Sequence, residues 1–338
     1  MEAVTVIIPT RNRPDLLYST LTSVLRQRDV DLRVVVVDDA STDDVASVVS
    51  RCDDPRVRVA RHVVRKGVSA ARNLGAAEAT TDWIAFCDDD DLWSPDKLHR
   101  QLASARGAGG DWAYAGCVFV DAQLEIHGGT PPLPPDAITA ALRSYNAVPA
   151  GASNVLVRTG VFRAVGGFDE NLTHVPDWDL WLRLARASVA AYVDSPLVAY
   201  RMHGANASLR TSEMLAELAL LERRHGLICT RSFFYRHLAH LCLRSNRLRE
   251  ALTYFLRALL HFRDGYTRID FEMDWRLLRE HADEILRRRL RRPPSTRAMQ
   301  RLHTARNRDP HAAWKAAARE WLDEFRRCEE FRGKKVTR

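Results

Sequence analysis

The sequence lacks several features that mark common protein classes. It contains no apolar run that approaches the ~18 residues of a membrane-spanning helix. The first residues, Met1-Glu2-Ala3, carry neither the basic stretch nor the cleavage site of a signal peptide, so we expect an intracellular protein. The cysteines form no CxxC pair and no regular spacing, which predicts reduced thiols rather than a disulfide framework or a zinc site. They are Cys52, Cys87, Cys117, Cys229, Cys242 and Cys328.

A glycine-rich turn after the first predicted strand is also missing. Nicotinamide-dependent dehydrogenases need such a turn so that the backbone can approach a pyrophosphate closely. Sugar-phosphate nucleotidyltransferases likewise need a glycine-rich loop near the N-terminus. The first apolar run, Val4 to Ile8, leads instead into Pro9-Thr10-Arg11-Asn12. The sequence therefore argues against both enzyme classes.

What the chain has is a globular composition with an uneven distribution of charge. Its 338 residues are 46% hydrophobic and 28% charged, enough for one large domain or two ordinary ones. Residues 1–212 carry a net charge of −4. Residues 213–338 carry 29 Lys and Arg against 17 Asp and Glu, a net charge of +12. This asymmetry predicts two regions, the second of which faces an acidic partner or is a solvated basic surface.

Strand and helix patterns alternate through the first region. Apolar runs at 4–8, 32–37, 57–59 and 83–87 predict strands, and apolar residues at helical spacing between them predict helices. This order predicts an α/β fold with a mainly parallel, Rossmann-like sheet covered by helices. Further strands are predicted at 112–120, 153–158, 192–193 and 197–201, and a helix at 177–187. We predict one domain at residues 1–212 and a basic, all-helical region at residues 213–338.

Polar clusters follow three of the first four predicted strands. They are Thr10-Arg11-Asn12, Asp38-Asp39 and the run Asp88 to Asp91, after which Ser94-Pro95 predicts a helix start. In parallel sheets the carboxyl ends of the strands meet at one edge, where ligands bind. Four adjacent carboxylates repel one another unless a cation lies among them, and their hard oxygens suit Mg²⁺ or Mn²⁺. The alternative interpretation of the run is a solvated acidic turn.

Six segments resemble, in the same order, the motifs of the family 2 glycosyltransferases, which are inverting enzymes of the GT-A fold. The segments are Val4 to Arg13, Val36 to Asp43, Gly67 to Gly75, the aspartate run with Leu92 to Leu98, Asp177 to Arg183, and Tyr200 to His203. The resemblance covers residues 1 to about 210. It implies transfer of a sugar from a nucleotide-diphosphate donor, expected to be UDP-linked, to an acceptor hydroxyl. Synthesis of a polysaccharide, glycolipid or glycoconjugate is the implied role.

The resemblance also implies which residues hold the nucleotide. Asp39, ahead of Asp38, would accept the imide N–H of a uracil ring, and Arg72 would meet the diphosphate. The alternatives are that Asp38 or Asp39 caps the following helix and that Arg72 is an ordinary surface arginine. The residues expected to line the rest of the nucleotide are Pro9, Thr10, Arg11 and Asn12.

A divalent ion would neutralise the diphosphate leaving group. The family pattern implies Asp90 as the direct metal ligand, with Asp88 and Asp89 serving the ribose, the metal shell or both. The four consecutive aspartates leave this register open by one position, so Asp91 remains an alternative. His203 would approach the metal or the diphosphate, unless it is simply packed or at the surface.

Transfer with inversion needs one carboxylate as a base for the acceptor hydroxyl. Asp177 resembles that base, with Asp179 as the second choice. The chain departs from the family at Pro176, where many relatives carry Glu. A helix N-cap is the alternative role for Asp177.

The acceptor is expected to be a saccharide, a lipid-linked molecule or, less in keeping with the motifs, a peptide. For the basic region we predict contact with anionic membrane lipid or an anionic acceptor, because it lacks a recognised nucleic-acid-binding module. This leads us to expect a cytoplasmic protein, peripheral at the inner face of the membrane, and homo-oligomer contacts stay open. The non-enzymatic alternative is a nucleotide-binding scaffold protein.

Overall fold

The computed structural model describes residues 1–202, 211–227, 231–244, 247–261 and 312–336, and its first part is a mixed α/β fold built on one curled sheet. The order of the strands in the sheet is β3-β2-β1-β4-β8-β6-β9-β5, and β7 pairs with β6. The strands are β1 (Ala3–Thr10), β2 (Asp31–Asp38), β3 (Val57–Arg61), β4 (Trp83–Phe86), β5 (Leu92–Trp93), β6 (Trp112–Val120), β7 (Ile126–Thr130), β8 (Leu156–Arg158) and β9 (Ala190–Arg201). The α/β prediction is confirmed.

Three of the strands predicted from the sequence, β1, β2 and β4, are parallel, and their polar ends lie side by side. β1 lies between β2 and β4, and all three run in the same direction. Thr10 is paired with Asp38, and Ile7 is paired with Phe86, one residue before Cys87 and the aspartate run. The three polar clusters therefore leave the sheet at the same edge, as the sequence predicted.

Helices cover both faces of this sheet, and their apolar residues form its core. The helices of the first part are α1 (Pro14–Val24), α2 (Val45–Cys52), α3 (Val68–Ala77), α4 (Lys97–Ala108), α5 (Pro135–Leu142), α6 (Thr159–Ala164) and α7 (Pro176–Ala187). Later helices are α8 (Thr211–His225), α9 (Arg231–Arg244), α10 (Leu248–Leu260) and α11 (Ala312–Val336). Val4, Val6 and Ile8 of β1 are fully buried between Leu17 and Leu21 of α1 and the rest of the core. Among the described residues, none of the helices combines the length and hydrophobicity needed to cross a membrane.

Three local predictions need correction. Ser94-Pro95 does not start a helix: the chain first pairs β5 with β9, and α4 begins at Lys97 after Asp96. The predicted strand at 153–158 is a 3₁₀ turn, Gly151–Asn154, followed by the short strand β8. The two short strands predicted at 192–193 and 197–201 form the single strand β9, which bulges opposite Gly116.

The chain divides into two compact units. The first comprises residues 1–142, 146–203 and 313–338, and the second comprises residues 143–145 and 204–312, including α8, α9 and α10. The sequence placed residues 313–338 in the C-terminal helical region. In the structure, α11 instead packs within the first unit, so the predicted division at 212/213 does not describe the end of the chain.

Helix α11 covers an apolar face of the sheet. Trp321, Leu322 and Phe325 pack against a cluster of buried side chains from β5, β6 and β9: Leu92, Val118, Val120 and Ala199. The indole Nε1 of Trp321 donates to Pro196 O at 3.1 Å. The guanidinium of Arg326 pairs with Glu125 at 2.9 Å. The sequence did not predict this docking, because an amphipathic pattern does not say which surface a helix covers.

Two glycines on neighbouring strands make room for the ring of Trp314. A Cβ atom placed on Gly129 would lie 2.6 Å from the indole and 2.7 Å from Cys117 O. On Gly116 it would lie 2.3 Å from the same ring. Glycine is needed here for close approach rather than for backbone freedom.

We expect Gly129→Ala to lower the free energy of unfolding by about 1–3 kcal/mol, the usual cost of overpacking a fitted contact. Denaturant unfolding followed by fluorescence measures the loss. Gly128→Ala is the matched control, because its Cβ would meet only the flexible ring of Phe119 at 3.3 Å. Equal unfolding midpoints for the two variants would contradict the packing of α11 described above.

Candidate functional site

The loops that follow β1 and β4 are joined by direct contacts at the polar edge of the sheet. Thr10 Oγ1 donates to Asp89 Oδ2 at 2.7 Å. Arg13, just beyond Thr10, donates through Nη1 to Asp89 Oδ1 at 3.1 Å and to Asp90 Oδ2 at 2.9 Å. Charge-assisted bonds of this kind are stronger than neutral ones. Arg13 therefore holds two of the four aspartates side by side.

The aspartate run lies in four different environments. Asp88 is the most accessible of the four, with 31% of its side chain exposed. Burial first, and then the charge of Asp90, raise the pKa of Asp89 to about 6, although Arg13 and Thr10 oppose the shift. Asp91 is completely buried, and its Oδ1 accepts the N–H of Arg201 at 3.0 Å. Asp91 therefore faces the protein interior, Asp90 is largely buried with 11% of its side chain exposed, and Asp88 alone of the four keeps a substantial exposed surface.

Arg72 joins the aspartate run to α7. It is nearly buried on α3, and its Nη2 lies 2.5 Å from Asp88 Oδ1. Its positive charge also acts on Asp177, lowering the pKa of that carboxyl, while Asp88 raises it. Arg72 Nε is buried and meets no acceptor within the part of the chain that the structure describes. A buried donor that lacks a partner is costly, so this atom fits an incoming anionic oxygen such as that of a phosphate.

Asp177 stands in the first turn of α7 and is not its N-cap. The cap position is Val175, and Pro176 occupies the first helical position. Asp177 Oδ2 accepts from Asn146 Nδ2 at 3.1 Å, and Oδ1 accepts the N–H of Trp178 at 2.9 Å. Burial raises the pKa of Asp177 above its ordinary value, although Arg72 and these two hydrogen bonds oppose the shift. Because Val175 occupies the cap position, the alternative role of Asp177 as an N-cap is excluded.

Asp179, the second choice for the base, is buried in an ion pair with Arg183. It is 1% exposed, and its Oδ2 pairs with Arg183 at 2.6 Å. Arg183 in turn donates to Val165 O at 2.6 Å. Asp179 thus stabilises the packing of α7.

Asp39 faces the start of α3. Its carboxylate accepts the N–H groups of Lys66 at 2.8 Å and Gly67 at 2.9 Å, and it lies 2.9 Å from His62 Nδ1. Burial raises the pKa of Asp39, but these hydrogen bonds outweigh it and hold the pKa below the ordinary value. The N-cap of α2 is Asp44, so neither Asp38 nor Asp39 caps that helix. Asp39 is therefore kept ionised at the polar edge of the sheet.

The segment from Pro9 to Asn12 lies at the same edge, beside the end of β2. Pro9 and Thr10 belong to β1 and are buried, whereas Arg11 is exposed. Asn12 has a left-handed backbone (φ 54°), and its Oδ1 accepts the N–H of Thr42 at 2.8 Å. Asn12 thus connects the loops after β1 and β2. His203 lies outside the described residues.

A side-chain clamp holds the loop that leads to Asp177. Asn73, next to Arg72, donates through Nδ2 to Phe168 O and accepts the N–H of Phe168, both at 2.9 Å. The ring of Phe168 lies under the guanidinium of Arg72, 5.0 Å from its carbon to the ring centre. Ser69 Oγ donates to Leu172 O at 3.0 Å. Helix α3 therefore positions both its own arginine and the approach to α7.

The donor set at the edge fits a divalent ion that a substrate helps to hold. Within the described ranges, no group of three or more His, Cys, Asp or Glu side chains is arranged around a common metal position. Mg²⁺, however, is usually bound through one or two carboxylates together with substrate phosphates and water. The carboxylate of Asp88, which is partly exposed, and that of Asp90, which is largely buried beside it in the run, fit that requirement.

Several residues of this site had no individual role in the sequence prediction. Arg13 lies at the end of the first motif, but nothing in the pattern distinguishes it from its neighbours, and Phe168 lies outside every motif. Asn146, Gly151 and Ser153 reach the site only through tertiary contacts, which local sequence does not encode.

Two family models match the chain. The model described as "Glycosyl transferase family 2" matches residues 5–165, and "Glycosyltransferase like family 2" matches residues 136–237. Together they span the aspartate run, Arg72 and Asp177.

Similar proteins include the Escherichia coli UDP-Glc:alpha-D-GlcNAc-diphosphoundecaprenol beta-1,3-glucosyltransferase WfaP. It is 28% identical over 246 residues, which are 70% of this chain and 93% of WfaP. The succinoglycan biosynthesis protein ExoO of Rhizobium meliloti is 39% identical over 106 residues, which are 31% of this chain and 30% of ExoO. Among solved structures, S. aureus TarS 1-349 in complex with UDP-GlcNAc superposes with a TM-score of 0.52 at 17% identity, covering 80% of this chain and 74% of that one. This last likeness concerns the fold.

Proposed function

The chain belongs to glycosyltransferase family 2 and is a glycosyltransferase, and from this premise we propose that it transfers a sugar, with inversion, from a nucleotide-diphosphate donor to an acceptor hydroxyl. UDP is the nucleotide we propose, and a divalent ion, Mn²⁺ or Mg²⁺, assists. The product belongs to a polysaccharide, glycolipid or other glycoconjugate.

The observation that carries this proposal is the cluster of Asp88, Arg72 and Asp177 at one edge of the sheet. Asp88 and Asp177 come from elements about 90 residues apart, and Arg72 acts electrostatically on both. Charges of alternating sign at a strand edge suit a donor whose diphosphate is anionic and whose sugar carbon becomes cationic during transfer.

The acceptor hydroxyl needs a base on the side opposite the leaving diphosphate. The carboxylate of Asp177 takes the hydroxyl proton as the acceptor oxygen forms its bond to the anomeric carbon. The bond from that carbon to the diphosphate oxygen breaks, and its electron pair leaves with the nucleoside diphosphate. A single displacement of this kind inverts the configuration at the anomeric carbon.

The leaving diphosphate must be neutralised as its charge develops. Arg72 supplies one positive charge through its buried guanidinium. Asp90 and Asp88 are the residues we propose to hold the divalent ion, which when bound acts as a Lewis acid toward the diphosphate. Asp89 is proposed for the ribose or the outer metal shell, since Thr10 and Arg13 already hold it.

The base of the donor is proposed to lie against Asp39. An ionised carboxylate accepts the imide N–H of uracil, and the hydrogen bonds from Lys66, His62 and Gly67 keep Asp39 ionised. Pro9, Thr10, Arg11 and Asn12 border the same position. UDP-sugars also appear in the names of WfaP and of the TarS complex.

A saccharide carried on a lipid diphosphate is the acceptor class suggested by the name of WfaP. The functional division into a donor-binding region (1–212) and a basic acceptor or membrane-surface region (213–338) stays a prediction. So do a cytoplasmic location at the inner face of the membrane, a peptide acceptor and self-association.

A screen of nucleotides tests the donor assignment. We expect UDP with Mn²⁺ to raise the melting temperature by about 5–10 °C at a concentration 100 times its Kd, with GDP and ADP far less effective. Thermal-shift measurements with and without Mn²⁺ separate the contributions of metal and nucleotide. A larger shift with GDP would overturn the UDP assignment, and no shift with any nucleotide would contradict donor binding.

A further inference from the structure

The 3₁₀ turn Gly151–Asn154, named here the 151–154 turn, touches both acidic parts of the site. No motif of the family resemblance includes it. On one side, the N–H of Asp88 donates to Ser153 Oγ at 2.9 Å. On the other side, Gly151 lies against Asp177, and a Cβ atom placed on it would be 2.6 Å from Asp177 Oδ2. The turn thus stands between the aspartate run and α7.

The 151–154 turn is anchored rigidly beneath the site. Asn154 is fully buried; its Nδ2 donates to Ala115 O at 2.6 Å and Pro149 O at 2.7 Å, and its Oδ1 accepts the N–H of Ala115 at 2.8 Å. Gln101 donates to Asn154 O at 2.7 Å, and Trp93 Nε1 donates to Ser153 O at 2.8 Å. A buried polar network whose members are satisfied fixes a single arrangement. The C-terminal half of the 151–154 turn is therefore held by contacts from β5, β6 and α4.

Two separate features of the structure favour glycine at position 151. Its backbone is left-handed (φ +52°), a conformation that glycine adopts without strain. In addition, the space that a side chain would fill is occupied by the carboxylate of Asp177. Only the second reason concerns the site, so the two must be separated by experiment.

We propose that Gly151 is a positioning residue, whose missing side chain lets the 151–154 turn set the place of the Asp177 carboxylate relative to Asp88 and Arg72. This inference rests on the proposed role of Asp177 as the base. Any side chain at 151 pushes Asp177 Oδ2 away from its present position. A catalytic group displaced by about 1 Å can cost ~10²-fold in rate.

The kinetic test compares Gly151→Ala with Gly109→Ala. Gly109 is also left-handed (φ +61°), but nothing lies within 4 Å of its added Cβ, so the variant carries the backbone strain alone. We expect Gly151→Ala to lose ~10²-fold in kcat with UDP-glucose or UDP-GlcNAc as donor, while its Kd for UDP with Mn²⁺ stays within about twofold of the wild type, since the base does not touch the nucleotide. Gly109→Ala should keep the wild-type kcat. Unchanged kcat in Gly151→Ala, or an equal loss of UDP affinity, would overturn the inference.

A double-mutant cycle of melting temperatures tests the inference even if Gly151→Ala folds poorly. The drop in melting temperature caused by Gly151→Ala is expected to shrink to that of Gly109→Ala when Asp177 is also replaced by alanine, because the blocking carboxylate is gone. Equal drops in both backgrounds would show that Gly151 and Asp177 are independent and would refute the inference. If Asp177→Asn transfers normally, the proposed base is wrong; if it is inactive while Gly151→Ala is fully active, the positioning role alone fails.

Discussion

Replacing Asp177 by Asn is expected to reduce glycosyl transfer by ~10²–10⁴-fold while leaving UDP binding unchanged. Asparagine keeps the volume of the side chain, and its one carbonyl oxygen can still accept the N–H of Trp178. The contact with Asn146, which now donates to the second oxygen, is kept if that amide turns to present its own oxygen to the new NH2 group. Asparagine has no basic carboxylate, so the side chain at position 177 cannot take the proton of the acceptor hydroxyl. Steady-state kinetics together with calorimetric titration of UDP measure the two quantities separately.

The pH dependence of transfer provides a second readout for Asp177. Burial raises the pKa of Asp177 despite Arg72 and its hydrogen-bond partners. A base works only when ionised, so transfer should fall as the pH drops through a value above the ordinary 3.8 of an aspartate. The residual activity of Asp177→Asn should lack this acid limb.

The raised pKa of Asp177 also affects the stability of the fold. A carboxyl whose pKa is raised by folding favours the folded state at low pH, and this contribution is lost as the pH rises through the raised pKa. At neutral pH, Asp177→Asn should therefore melt at or above the temperature of the wild type.

Asp179→Asn is the matched comparison for Asp177→Asn. It removes half of a buried pair with Arg183, so we expect a lower melting temperature with little change in kcat per folded molecule. The reverse pattern, an inactive Asp179→Asn and an active Asp177→Asn, would transfer the role of base to Asp179.

Asp90→Ala is expected to abolish the Mn²⁺-dependent part of the thermal shift with UDP and to reduce transfer by ~10³-fold. The reason is that a Lewis-acidic ion contributes several kcal/mol to the stabilisation of a leaving diphosphate, and each 1.4 kcal/mol corresponds to about a tenfold change in rate. Arg13 keeps its contact with Asp89 in the variant, so the loop should remain in place. Thermal shifts across a Mn²⁺ titration measure the effect.

Asp91→Asn is the control that settles the register of the aspartate run. Asp91 is completely buried, and its oxygen accepts the N–H of Arg201, which an amide oxygen can replace. The Mn²⁺-dependent shift should therefore survive. If Asp91→Asn loses it and Asp90→Ala keeps it, the metal ligand has been placed one residue too early.

The sequence predicted those parts of the site that lie at the ends of predicted strands. Thr10, Asp39 and Asp88 could be placed at one edge because the direction of parallel strands determines where their carboxyl ends meet. The amphipathic pattern of 177–187 likewise located the helix that carries Asp177. These inferences needed only the local pattern and the rules of parallel sheets.

The remaining parts depend on contacts that no local pattern records. Ser153 and Asn154 of the 151–154 turn were predicted as the start of a strand, because Val155, Leu156 and Val157 form an apolar run. Nothing in the sequence indicates that Asn154 bonds to Ala115. The start of α4 was misplaced because Ser94-Pro95 has the composition of a helix start. In the structure, Leu92 and Trp93 pair with β9, and α4 begins only at Lys97.

The packing of α11 within the first compact unit bears on how this protein can be shortened. A fragment that stops near residue 203 would leave the faces of Leu92, Val118 and Ala199 bare to water, and such surfaces promote aggregation. An internal excision that joins the neighbourhood of residue 203 to residue 312 keeps α11 and its cover intact. To produce the first compact unit by itself, residues 313–338 must therefore be kept with residues 1–203.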